Sequence, residues 1–255
     1  MKANKLVYFL LGLMIVQSVA ASVGPATARY DFDNTDSDYA LNYGLTDVGS
    51  GNNFSTTAKL GSHSADFSGS GGKKSLYSST RSDADYQVSW TAWIAWDTTP
   101  TTDWRTIADY GRDNANCGTD GGTSLTVAFN GGATDELRLF SSCGGSAAYG
   151  FTPTVGQWYH VAAVYEGNKS ALLYLNGTNV LNYTFTPNGG GGAMKLNCNS
   201  GLSCYFAVGQ TGFDTNPIQD SRIDDVRFYM NESLNATQIL EIYNEGAGTR
   251  YNPIP

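Results

Sequence analysis

Glycoside hydrolysis needs two carboxylates flanking one bond, and this chain offers no pair of glutamates placed for it. It has five glutamates: Glu136, Glu166, Glu232, Glu241 and Glu245. Only Glu241 and Glu245 stand four apart, and they fall in a helical segment where they face solvent. The aspartates are numerous, but no pattern among them singles out an acid and its partner. The two histidines are equally uninformative. His63 sits in a glycine–serine turn, and His160 lies in the apolar run QWYHVAAVY, where a packed neutral ring is expected. No serine stands in a G-x-S-x-G setting. The residues therefore predict a protein that is not an enzyme, with a polysaccharide hydrolase or lyase as an outlying alternative.

The residue types point instead to recognition. A saccharide presents C–H faces and hydroxyl edges, so its sites combine an aromatic platform with planar hydrogen-bonding side chains. Trp96, Asp97, Trp104 and Arg105 cluster at the end of one strand and in the following loop. Trp104 lies in a polar run, TTPTTDWRT, where a core tryptophan is unexpected. Tyr110, Arg112 and Asn114 continue the set, and Phe213, Asp214 and Asn216 form a second rim. Trp90, Trp93 and Trp158 are assigned to the core or to sheet faces. A structural Ca²⁺ needs six to eight oxygens. Asp31 and Asp33 alternate on the first strand, and Asp224 and Asp225 lie on the last. A second acidic set (Asp109, Asp113, Asn114, Asn116, Asp120) lacks EF-hand spacing and is read as a polar loop.

These side chains must be held by strands. Gln87 to Trp96 alternates Val88, Trp90, Ala92, Ile94 and Trp96 on one face. Ser124 to Asn130 alternates Leu125, Val127 and Phe129, and Glu136 to Ser141 alternates Leu137 and Leu139. Further strands are read at 65–67, 75–77, 157–165, 171–175, 179–185, 205–208 and 223–229. Asn176-Gly177 supplies the two positive-φ positions of a type I′ hairpin turn. One helix is predicted over Ala236–Glu245. Asn235 and Gln238 form its capping box, and Leu234 and Ile239 its hydrophobic staple. Many short strands without intervening helices predict an all-β antiparallel sandwich in one domain, 29–246.

Composition agrees. Charged residues make up 15 % of 255, glycine numbers 30 and the net charge is −8. An acidic chain cannot neutralise phosphates, which excludes a nucleic-acid partner. Lys2 and Lys5 precede an uncharged run, Leu6 to Val16, and small residues surround Ala20. This predicts a secretory signal peptide over 1–20, since a membrane span needs about 20 apolar residues. Residues 247–255 form a short polar tail. Export fits the even cysteine count: Cys117, Cys143, Cys198 and Cys204. Of their three possible pairings, Cys117–Cys143 with Cys198–Cys204 is preferred. A zinc site is the weaker alternative, because no C-x-x-C occurs. Asn53, Asn168, Asn176, Asn182, Asn231 and Asn235 are glycosylation sequons, open to use on a eukaryotic or archaeal route.

Five segments in order resemble the laminin-G-like, concanavalin-A-like jelly-roll family of secreted proteins. They are Tyr30-Asp31-Phe32-Asp33, then Ser89-Trp90-Thr91-Ala92-Trp93-Ile94, then Gly156-Gln157-Trp158-Tyr159-His160-Val161-Ala162. Leu173-Tyr174-Leu175-Asn176-Gly177 follows, and Arg222-Ile223-Asp224-Asp225-Val226-Arg227-Phe228-Tyr229 closes the series before the helix. The resemblance implies a jelly roll that binds a glycan or an extracellular protein. It also implies Asp224 as the leading ligand of a structural Ca²⁺, with Asp31 or Asp33 beside it. The E-x-D-x-E strand of related β-glucanases is missing here. A self-associating adhesion, surface-coat or filament subunit is the structural alternative, since exposed edge strands pair readily.

Overall fold

The structure, a computed structural model, describes residues 23–37, 43–78, 87–100, 104–112, 124–131, 135–141, 145–167, 170–186, 204–211 and 217–245. The signal segment, the C-terminal tail, Cys117, Cys143, Cys198 and the Asn168 sequon lie outside these residues.

Thirteen strands precede one helix. They are β1 (Ala28–Tyr30), β2 (Thr46–Ser55), β3 (Ser64–Ser78), β4 (Val88–Trp96), β5 (Arg105–Arg112), β6 (Ser124–Asn130) and β7 (Glu136–Ser141). The series continues with β8 (Gly145–Gly150), β9 (Trp158–Gly167), β10 (Ser170–Leu175), β11 (Thr178–Thr184), β12 (Cys204–Val208) and β13 (Ser221–Met230), then α1 (Ala236–Glu245). Among the described residues the strand pairings are antiparallel, in the order β11-β10-β9-β4-β13-β3-β12-β5-β6-β7-β8. The path folds into two layers, because β3 serves both. Ala65 and Asp66 pair with Ile223 and Arg222 of β13, while Lys73 to Ser78 pair with β12. The first layer is β11-β10-β9-β4-β13 and the second is β12-β5-β6-β7-β8.

Strand alternation decides which side chains meet between the layers. Trp90, Ala92, Ile94 and Trp96 of β4 face inward, as do Val161, Ala163 and Tyr165 of β9. Leu125, Val127, Phe129, Leu137 and Leu139 meet them from β6 and β7. A smaller cluster lies outside the first layer, where Leu234, Ile239 and Ile242 cover Ala162, Val164, Tyr174 and Tyr229. The helix begins as expected. Asn235 Oδ1 accepts from the amides of Thr237 and Gln238, each at 3.0 Å, and Gln238 Oε1 accepts from the Asn235 amide at 2.9 Å. The hairpin turn also matches, with φ of 50° at Asn176 and 76° at Gly177.

Two expectations need correction. The first strand stops at Tyr30, because Phe32 and Asn34 take positive φ, so Asp31 and Asp33 lie beyond it. The segments at 65–67 and 75–77 are one strand, β3. The edge strands β2 and β8 lack apolar alternation and carry no period-two signal.

Candidate functional site

The outer face of the second layer holds the candidate site. Because Leu137 and Leu139 point into the core, Glu136, Arg138 and Phe140 must point out. Trp104, just before β5, swings onto this face. Its φ is 56°, a region bulky residues rarely enter, at a cost of order 1–3 kcal/mol. The Arg138 guanidinium lies 5.1 Å from the indole centre, and the Phe140 ring meets the indole edge-on at 5.4 Å. Arg138 Nε donates to Glu136 Oε1, and Asn130 Nδ2 donates to the same oxygen at 2.9 Å. Further along the sheet, Thr126 Oγ1 donates to Asp109 Oδ1. The result is a half-exposed aromatic surface beside an ordered guanidinium, carboxylate and amide. Such a surface can stack a ring and hydrogen-bond its edge.

The sequence-derived set divides here. Trp104 is on the face, and Arg105 stands beside it, with Nη1 donating to the Pro217 carbonyl at 2.9 Å. Trp96 is not a rim residue. It is 1 % exposed, packed on Phe129, Phe151 and Tyr159, as its place in the β4 alternation requires. Tyr110 is likewise in the core, 5.0 Å from Phe228. Asp97 belongs to the other layer, where it pairs with Arg222. Asn114, Asp214, Phe213 and Asn216 lie outside the described residues. Glu136, Arg138 and Phe140 went unassigned in the sequence. Their signal was present, since they are the alternates of two leucines already placed inside.

The carboxylates expected around Ca²⁺ face N–H donors. Asp33 Oδ1 accepts from the amides of Ser62 and His63. Asp224 Oδ2 accepts from the amides of Lys59 and Leu60, at 2.7 and 2.8 Å, and its Oδ1 from the amide of Asp225. Asp31 Oδ1 faces the Asp33 amide. A cation needs lone pairs turned toward it, and here the donor set is N–H. Among the described residues no three His, Cys, Asp or Glu side chains gather. The arrangement therefore does not fit Ca²⁺, and Asp33 and Asp224 instead latch the 56–63 loop. Burial pushes the Asp224 carboxyl up to about 7, against the pull of the three amides. Beside it, Asp225 is gripped by Arg29 Nε at 2.8 Å and Arg227 Nη2 at 2.8 Å. Burial raises the Asp225 carboxyl, but Arg227 and Arg29 outweigh it and hold it below its ordinary value.

His160 is fully buried, with its ring 5.2 Å from Trp93. Burial drives its pKa down to about 3, so the ring is neutral, as the apolar run predicts. Among the sequons, Asn53, Asn182 and Asn231 are exposed. Asn176 is half-buried, with its Oδ1 on the His160 amide, and Asn235 caps the helix. Cys204 opens β12 opposite Ser78 and Arg112. No described helix is long and apolar enough to cross a membrane.

Comparison with known proteins agrees with this fold. The laminin G-type family model described as the concanavalin A-like lectin/glucanases superfamily matches residues 68–240. Domain 4 of AbnA, an extracellular GH43 arabinanase from Geobacillus stearothermophilus solved with arabinotriose, superposes with a TM-score of 0.56 at 21 % identity. The match covers 86 % of this chain and 98 % of that domain. Trypanosoma rangeli sialidase matches with a TM-score of 0.59 at 12 % identity, over 91 % of this chain and 33 % of the enzyme. The binding domain of botulinum neurotoxin serotype D matches with a TM-score of 0.55 at 13 % identity, over 86 % and 51 %. This chain thus spans about a third of the sialidase and half of the toxin domain. No curated protein matches by sequence.

Proposed function

The chain belongs to the concanavalin A-like lectin/glucanase superfamily, and from that premise we propose that it is an extracellular, non-catalytic module that binds a neutral glycan at Trp104. The observation that carries this reading is the Trp104 indole, held half-exposed at a strained φ of 56° between Arg138 and Phe140. Strain at a bulky residue persists only where surrounding contacts over-determine it, and it collects at binding sites.

In this reading the C–H face of a sugar ring stacks on the indole. Arg138 donates to ring hydroxyls, and Glu136 accepts from them. The Glu136–Arg138 pair and Asn130 fix these groups in advance, so little side-chain entropy is lost on binding. The net charge of −8 disfavours acidic glycans through long-range repulsion. The charged start, apolar run and small-residue site of residues 1–20 support export. The arabinotriose bound to the arabinanase domain makes arabinose oligomers the first probes to try.

A self-associating subunit would need an open sheet edge. Among the described residues β2 pairs with β3 alone and is such an edge, whereas the end strands β8 and β11 lie beside each other, with the Tyr183 hydroxyl 2.8 Å from where a Cβ on Gly145 would sit. An extracellular protein partner would use the same Trp104 face. Glycan-array binding by the chain lacking residues 1–20, beside Trp104→Ala, tests the proposal. Binding of the same glycan with an unchanged number of sites after the substitution would place the site elsewhere.

A further inference from the structure

A second constellation built like the Trp104 platform stands on the opposite face of the sandwich. Trp158 opens β9, and because Tyr159 and Val161 enter the core its indole projects outward, half-buried. The Arg222 guanidinium lies 5.5 Å from the Trp158 ring centre. Arg222 projects outward for the same reason, since Ile223 beside it is in the core. Ala95 is the common neighbour that brings them together, pairing with Trp158 on one side and Arg222 on the other. Asp97 then holds the guanidinium, accepting from Nε at 2.8 Å and lying 2.6 Å from Nη2. Arg222 Nη1 also reaches the Thr57 carbonyl at 3.5 Å.

The two sets share one design. In each, a half-buried indole has a guanidinium over it, at 5.1 Å for Arg138 and 5.5 Å for Arg222. In each, a carboxylate grips that guanidinium through its Nε. The residues come from unrelated points of the sequence, so no internal repeat produces the match. Asp97 remains exposed and keeps lone pairs toward solvent. The same types of hydrogen-bonding group thus stand beside the same kind of aromatic surface twice, with the guanidinium the more exposed partner in the first set and the carboxylate in the second.

We propose that Trp158, Arg222 and Asp97 form a second saccharide station for the same class of neutral glycan, which makes the domain bivalent. The inference rests on reading the Trp104 platform as a glycan site. The layers are about 10 Å apart, and the two stations project away from each other. One straight glycan chain cannot lie on both, so the domain joins two chains.

The test is native mass spectrometry and calorimetry on the mature chain with a panel of trisaccharides of arabinose, xylose, glucose and galactose. The expected result is two equivalents of one trisaccharide, one equivalent in Trp158→Ala, one in Trp104→Ala and none in the double variant. Asp97→Ala, which alters an exposed residue outside the strands, should weaken the second equivalent at least several-fold. It keeps the test valid should Trp158→Ala unfold. The wild type should also cross-link a branched polysaccharide carrying the bound sugar, and either single variant should fail to do so. One equivalent that persists in Trp158→Ala and Asp97→Ala overturns the second station and leaves the Trp104 reading standing. One equivalent lost in Trp158→Ala but kept in Trp104→Ala overturns both the bivalence and that reading. No binding of any member of the panel overturns both as well.

Discussion

Arg138 stacks on Trp104, its guanidinium carbon 5.1 Å from the indole centre, while its Nε is held by Glu136 two residues earlier on the same strand. The guanidinium is thereby ordered before any ligand arrives. Replacing Glu136 with Gln weakens that grip while preserving shape. Glu136→Gln should reduce affinity for the bound glycan about 3- to 10-fold, corresponding to a charge-assisted bond of order 1 kcal/mol. Unchanged affinity would mean that Arg138 needs no holding.

Asp225 is buried between two guanidinium groups that join β1 to β13, and Arg227 extends the chain to Glu245 of the helix. Removing one partner leaves buried charge uncompensated. Asp225→Ala should destabilise the fold by about 3–5 kcal/mol in urea denaturation. A loss under about 1 kcal/mol would show that water reaches the site.

The pH dependence of stability has opposing contributions. Burial lowers His160 from 6.5 to about 3, so the unfolded chain takes up a proton that the folded chain refuses. Its contribution is complete above about 6.5 and is lost as pH falls toward 3. Asp224 acts in reverse, because burial raises it from 3.8 to about 7. Its contribution is complete below 3.8 and is lost as pH rises through about 7. Comparison with His160→Gln isolates the first. Between about pH 7 and about pH 4.5 the wild type should lose roughly 2–3 kcal/mol more than the variant. Parallel profiles would contradict a neutral buried ring.

The latch on the 56–63 loop is made by N–H donors on Asp33 and Asp224. Melting temperatures in EDTA and in millimolar Ca²⁺ should therefore agree. A rise in Ca²⁺ that Asp224→Asn abolishes would restore a cation to this site.

Asn235 caps α1 through two backbone amides. Asn235→Ala should cost about 1 kcal/mol. Asn235→Asp, which keeps the acceptor, should not, and equal losses in the two would contradict the cap.

The sequence made the fold legible wherever one face of a strand is buried and the alternation is clean. Val88 to Trp96 and Glu136 to Ser141 are such strands, and Asn235 with Gln238 announced the helix just as clearly. It did not reveal β2 or β8, whose glycine- and serine-containing sequences carry no apolar alternation. The site was only half legible. Trp104 stood out because its neighbours are polar. Trp96 misled because it ends a strand beside a loop, yet keeps the inward phase of Trp90 and Ile94. Arg138 was invisible as a partner of Trp104 because β5 and β7 meet only through β6. Trp158 reads from the sequence as a core or sheet-face residue, and only the register with Ala95 shows that it shares a row with Arg222.

The most direct test is the affinity of the chain lacking residues 1–20 for its best neutral glycan, measured for the wild type and for Trp104→Ala with folding checked by circular dichroism. Loss of one aromatic stacking partner is worth of order 1–3 kcal/mol. A drop of about 10- to 100-fold in a folded variant is the predicted result for the Trp104 station. The wild-type number of binding sites in folded Trp104→Ala, or no glycan binding by the folded wild type, would contradict the account.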